Sequence, residues 1–249
     1  MLAIKFFYDN YTQEQVPGMF SWEHFLFIGI FMALVAAGLY LCRGLTEQRT
    51  KKLLFWVAVV VSAVEILKIT LRLMKGGGTD SWIPLYYCSL FIYAIWMSRS
   101  KAEWLSRMGY AYMTMGGILA ATLFTLYPST SLAILPAWHP GSIHSLLYHT
   151  TMAFVGLLVL IKKLYVPRAK DAILYGAFIV LACVVGYFIN EWADSNCMFL
   201  HNAFNLPLFG DLLVYSHALY MLVVGVAQAS LMFWANFGIY KLFTRKKGV

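Results

Sequence analysis

The sequence predicts an all-α fold: a polytopic bundle of seven transmembrane helices forming a single domain over residues 1–249. Three observations carry that expectation. Only 12% of the residues are charged, about half the share of a soluble domain, and 61% are hydrophobic. The apolar residues fall in blocks close to the roughly 20 that a helix needs to cross a hydrocarbon core. Ten-residue segments of alternating polarity are absent, which argues against a barrel and leaves helices to pair the backbone groups in lipid.

The spans follow in order. Phe6, Phe7, Tyr8, Tyr11 and Trp22 form an interfacial aromatic belt ahead of the first span, Ser21–Cys42. No small-residue cleavage site follows Met1–Tyr8, so a cleaved signal peptide is not expected. The second span is Leu53–Leu73. The third, Trp82–Ser98, is short and opens on Pro84, a tolerated first-turn position. Leu105–Tyr127, Ile143–Ile161 and Ala172–Asn190 come next. Leu212–Tyr240 is long enough to tilt or kink. The longest connections, Pro128–Ser142 and Glu191–Asp211, are rich in Pro, Gly, Asn and aromatics, as loops that cap a bundle would be.

Lysine and arginine set the orientation. Fifteen of the nineteen lie at one set of ends: Arg43–Lys52, Arg99–Arg107, Lys162–Lys170 and Lys241–Lys247. Lys5 and Lys75 lie at the other. The positive-inside rule puts the C-terminus in the cytoplasm and the N-terminus outside, in a bacterial cytoplasmic membrane. The net charge of +8 is then a topology signal beside anionic lipid rather than a nucleic-acid footprint.

On this topology His24, His139, His144, His149, His201 and His217 all fall toward the outer side, and Cys88 lies at that depth. Polar groups gathered at one depth mark a site, because helical bundles build sites from facing helices. No C-x-x-C, H-x-x-x-H or H-E-x-x-H pattern occurs, so no metal, and no other cofactor, is expected. Cys42 and Cys183 read as apolar filler, while Cys88 and Cys197 are compatible with free thiols or a disulfide.

Glu65, Lys68 and Arg72 are spaced three and four apart and share one face of the second span. Two readings stand. Glu65 and Lys68 neutralise each other while Arg72 snorkels, or the three make a basic cavity floor for a phosphate headgroup, with Glu65 holding Arg72. His144 and His149 open the fifth span about 140° apart, so one of them faces a cavity. His24 and His217 each begin a span. With Tyr87, Asn190 and Asn196 they complete the candidate substrate-contacting set.

Ile83–Leu90, I-P-L-Y-Y-C-S-L, resembles the L-P-L-H-L-C-x-L motif of the YwaF-like integral membrane proteins, bacterial relatives of vertebrate transmembrane protein 164. Phe20–His24 (F-S-W-E-H), Tyr148-His149-Thr150, and Asn190 through Asn196–Leu200 (N-C-M-F-L) fit the same family in order. The resemblance covers most of the chain and departs at Tyr86, where the family often has histidine. It implies acyl transfer on phospholipid, with Cys88 as the acyl-enzyme nucleophile and His149 as its partner. The expected function is therefore a lipid acyltransferase or acyl hydrolase at the outer leaflet, with membrane lipid as partner and no nucleic acid. His144 is the substitute base, and Asn190 or Asn196 donates to the oxyanion. The alternative is a transporter or binding protein for an anionic amphiphile. A reporter fused to the C-terminus is expected to be active only in the cytoplasm; activity outside would invert the site.

Overall fold

The computed structural model describes residues 11–74, 83–203 and 209–245. Lys5, Lys75, Lys246, Lys247, the start of the expected third span at Trp82, and Phe6, Phe7 and Tyr8 of the aromatic belt lie outside the described residues. The described residues are helical, with no strand among them. Eight α-helices are named here in chain order: α1 Trp22–Leu41, α2 Glu47–Met74, α3 Leu90–Met97, α4 Glu103–Leu126, α5 Pro140–Ile161, α6 Asp171–Ala193, α7 Phe209–Tyr215 and α8 His217–Thr244. Six of them, all but α3 and α7, are long and apolar enough to cross a membrane.

Local chemistry explains the helix ends. Ser21 caps α1 by accepting from the His24 N–H, as short hydroxyl residues do at N-caps. Pro140 occupies the first turn of α5, where its missing N–H costs nothing. The α6 helix stops at Asp194, whose φ of 46° turns the chain back.

The expected third span is corrected. Instead of a continuous helix to Ser98, the chain runs through irregular turns at 83–89, and only Leu90–Met97 is α-helical. Eight residues cover about 12 Å of a core roughly 30 Å thick. The expected last span is also divided, with Ser216 separating α7 from α8 and capping the latter.

The central element is α4. It packs against α1, α3, α5, α6 and α8. Of its most apolar stretch 61% is buried inside the protein, against 17–22% for α1, α2, α6 and α8, which present their apolar faces to lipid. Its middle, Tyr112–Gly117, is a π-turn in which every residue is buried. A second π-turn, Ala227–Leu231, interrupts α8. Glycines allow the closest approaches. A Cβ on Gly116 would meet the Tyr87 hydroxyl, and one on Gly109 would meet the backbone of α3, the use of small residues that membrane helices favour.

Three of the basic ends gather at one end of the bundle. The Arg99 guanidinium donates to the Lys51 carbonyl, and the Lys162 ammonium donates to the carbonyls of Arg43 and Leu45. Arg107 grips Asp171 with both arms of its fork, at 2.9 and 2.5 Å, tying α4 to α6. The Tyr165 hydroxyl and the Arg168 N–H complete the shell around this buried carboxylate. Burial, and then the bond to Asp171, push the Tyr165 phenol up, so it stays a donor at any working pH. Arg107→Leu strands a carboxylate that is 1% exposed. Breaking such a pair costs about 3–5 kcal/mol. A marked loss of melting temperature in detergent is expected for Arg107→Leu and a smaller one for Arg107→Lys.

Candidate functional site

The irregular segment before α3 puts backbone polar groups inside the bundle, and a second short segment meets it there. Cys197–Phe199 forms a single 3₁₀ turn after α6, with Met198 and Phe199 in left-handed conformation. The Met198 N–H donates to the Leu85 carbonyl at 2.9 Å and joins the two segments. Side chains satisfy the rest. Asn190 donates to the Cys197 carbonyl and accepts from the Cys197 N–H and the Ser195 hydroxyl. Gln228, Tyr220 and His217 donate to the carbonyls of Met198, Phe199 and Leu200. Tyr112 donates to the Tyr87 carbonyl, and Tyr148 to the Cys88 carbonyl at 3.2 Å.

Around Cys88 the structure brings together some of the expected residues. Cys88 lies in the turn that begins the α3 half-helix, where the Leu90 N–H already bonds the Tyr86 carbonyl. Behind it stands Tyr148, whose ring centroid is 5.8 Å from those of His144 and His149 and 6.0 Å from that of Phe91. Lys68 is near enough for its charge to act on both Cys88 and His144. Cys88 and Cys197 are not joined by a disulfide in the structure, and the Cys197 thiol sits 3.4 Å from the Ser195 hydroxyl. No hydrogen bond joins the Cys88 thiol to a histidine among the described residues.

His149 is buried and lies flat on Phe124 of α4, with centroids 3.7 Å apart. Its Nδ1 is 2.7 Å from the Ser145 carbonyl. A carbonyl only accepts, so the proton sits on Nδ1 and Nε2 carries a lone pair. That Nε2 is buried with no hydrogen-bond partner. His144 is four residues before Tyr148 and stacks on it, so it shares the face that meets Cys88.

The charged face of α2 takes the self-neutralising arrangement. Lys68 Nζ is 2.6 Å from Glu65 Oε1, and the Glu65 side chain is 6% exposed. Glu65 thus holds Lys68 rather than Arg72, which is exposed a turn further on.

Other expected residues are committed to structure. Asn190 spends its amide oxygen and one amide N–H on the 3₁₀ turn. The His24 ring bonds the Thr125 carbonyl through Nε2 and the Phe20 N–H through Nδ1, so both nitrogens are used. Tyr87 faces inward, its hydroxyl on Tyr175 and its ring against Tyr112. Asn196 closes its own loop by accepting from the His201 and Asn202 N–H groups. Together with Tyr86, Asp194, His201, Leu213 and His217 it lines an open pocket of about 600 Å³. There the His201 ring lies 5.2 Å from that of His217 and bonds Glu191. Sequence reasoning quoted Tyr148 only as part of a motif, without a role, and missed Gln228 and Asn236. The two amides carried a usable signal, since uncharged polar groups deep in an apolar span need internal partners.

Residues 19–237 match the model of the TMEM164 family. No curated protein and no solved structure matches the chain. One consequence of the Asn190 clamp is testable without any substrate. Asn190→Leu leaves the Cys197 N–H and carbonyl and the Ser195 hydroxyl without that partner, at about 1–3 kcal/mol for each group left unsatisfied. A lower melting temperature and faster maleimide labelling of the buried Cys197 are expected, both read by intact-protein mass spectrometry along a heating series.

Proposed function

The chain belongs to the TMEM164 family, and from that premise we propose that it is a membrane-embedded thiol enzyme that moves an acyl group of a glycerophospholipid. One observation carries the reading: His149 is fixed with its proton on Nδ1 and a bare, buried Nε2, beside the Tyr148 that holds the Cys88 carbonyl. This is the tautomer a general base needs.

The sequence of steps is as follows. His149 Nε2 takes the Cys88 thiol proton, and sulfur attacks the ester carbonyl carbon. The ester C–O bond breaks, the departing alkoxide takes the proton back from the imidazolium, and a Cys88 thioester remains. An acceptor hydroxyl, or water, then attacks the thioester with the same histidine as base and restores the thiol. His144, on the Tyr148 face, is the second base to test. The N–H groups of Tyr87 and Ser89 flank Cys88 in the irregular turn before α3. They are the oxyanion donors in this reading, in place of Asn190. Arg72, exposed a turn beyond the Glu65–Lys68 pair, meets the headgroup phosphate at the outer rim of α2.

In this reading Ile83–Ser98 is a broken seventh crossing. What supports it is the chain path: the sequence leaves the basic end at Glu47 and is back beside Lys51 at Arg99. With α1 starting at the Thr125 end, the N-terminus lies outside and the C-terminus in the cytoplasm. The two irregular segments that meet inside the bundle also favour a second reading, a binding or transport protein for an anionic amphiphile, since transporters build sites from interrupted helices.

The two readings part on Cys88. Incubated with phospholipid, the protein is expected to carry an acyl adduct on Cys88. Cys88→Ser is expected to lose the thioester, and His149→Gln to slow adduct formation by roughly 10²–10⁴-fold, the usual contribution of a general base. Undiminished lipid turnover in Cys88→Ser would overturn the acyl-enzyme and leave the binding reading.

A further inference from the structure

We propose that Tyr148 is a positioning residue that sets the Cys88 turn against the histidines of α5. It is the side chain through which these parts meet. Its hydroxyl donates to the Cys88 carbonyl at 3.2 Å. Its ring stacks on His144, meets His149 edge-on and packs edge-on against Phe91 in the first turn of α3.

The turn needs such an anchor. Residues 83–89 lie outside any regular helix, so their place is set by side chains from neighbours rather than by a continuous backbone ladder. Two tyrosines grip adjacent carbonyls, Tyr112 of α4 on Tyr87 and Tyr148 of α5 on Cys88. Tyr112 is fully buried and packs on Tyr87, Tyr175 and Phe178, so its grip belongs to the core. Tyr148 is half-buried and is the one of the pair in contact with the histidines. Removing its hydroxyl leaves the ring contacts in place and leaves the Cys88 carbonyl only its local bond from the Phe91 N–H, with no tie to α5. The thiol then wanders relative to the imidazoles, and its reactivity falls although the helices stay packed.

The assignment rests on Cys88 as the reactive thiol, and its test does not need lipid turnover. Full-length protein in nanodiscs is treated with iodoacetamide between pH 6 and pH 10, and alkylation of each cysteine is followed by mass spectrometry. For Tyr148→Phe, Cys88 alkylation is expected to slow about tenfold at neutral pH, the effect of a one-unit displacement of the profile. Cys42 and Cys183, both partly exposed, should keep their wild-type profiles and serve as references. His149→Gln or His144→Gln should reproduce the slowing, and Tyr148→Phe combined with that histidine variant should add little. Coincident Cys88 profiles in wild type and Tyr148→Phe would overturn the proposal, as would equal changes in the reference cysteines. If Tyr148→Phe does not fold, 3-fluorotyrosine at position 148 alone changes only the donor strength of the hydroxyl. The same comparison then decides, and an unchanged profile overturns the proposal. The outcomes separate the two ideas. Lipid turnover surviving Cys88→Ser while the profile depends on Tyr148 removes the acyl-enzyme and keeps the positioning. Turnover lost in Cys88→Ser with a profile indifferent to Tyr148 does the reverse.

Discussion

Within a hydrocarbon layer a backbone N–H or C=O without a partner costs several kcal/mol, and no water stands by to supply one. Most of this bundle meets that constraint with uninterrupted helices. At Ile83–Ser89 and Cys197–Phe199 it does not, and the surrounding architecture answers that departure. The two segments bond to each other through Met198 and Leu85, and their remaining carbonyls are met by amide, phenol and imidazole donors from α4, α5, α6 and α8. Helices distant in sequence are thereby obliged to meet at one depth. The irregular turn that carries Cys88 is tied to Tyr112, Tyr148 and Met198 in addition to its own short local bonds.

Close packing around α4 makes those bonds reachable. Gly109 lets α3 lie against α4 at backbone distance, and Gly116 opens room for the hydroxyls of Tyr87 and Tyr175. Gly156 does the same for α5, where Ile118 and the Met113 carbonyl occupy the space a side chain would take. Asn236 donates to the carbonyls of Thr114 and Met115 in the π-turn of α4. The polar core therefore depends on the absence of side chains at a few positions as much as on the presence of phenols and amides at others.

Hydropathy and basic residues made the helical class and most of the spans readable, because length and polarity alone decide what can cross a bilayer. Span ends such as Ser21 and Pro140 were readable for a local reason, since caps act within one turn. The break at Tyr86–Ser89 was hidden because I-P-L-Y-Y-C-S-L is as apolar as a helix, and the hydroxyls that meet its carbonyls belong to Tyr112 and Tyr148 far along the chain. Asn190 was visible as a polar residue in a span, but its occupation by the Cys197 backbone depends on a turn whose left-handed residues, Met198 and Phe199, are not ones that sequence rules associate with that conformation. The Glu65–Lys68 pair was one of two open arrangements, and a three-residue spacing on one face was enough to make it geometrically available.

The π-turn in α4 sets a phase. A π-turn holds one residue more than the α-helix around it, and one residue turns a helix by about 100°. Everything after Gly117 is rotated relative to Glu103–Ala111 by that single addition. The ring of Phe124 lies flat on His149, and the Thr125 carbonyl reaches the His24 ring, only in this rotated frame. The chain thus carries the angular setting of the second half of α4 as an integer count of residues between Tyr112 and Gly117. Geometrically, the spacing of that stretch is more demanding than its chemistry. A side chain there can be exchanged among apolar types that fit, whereas a lost or gained residue would swing the whole later segment of the central helix to a different neighbour.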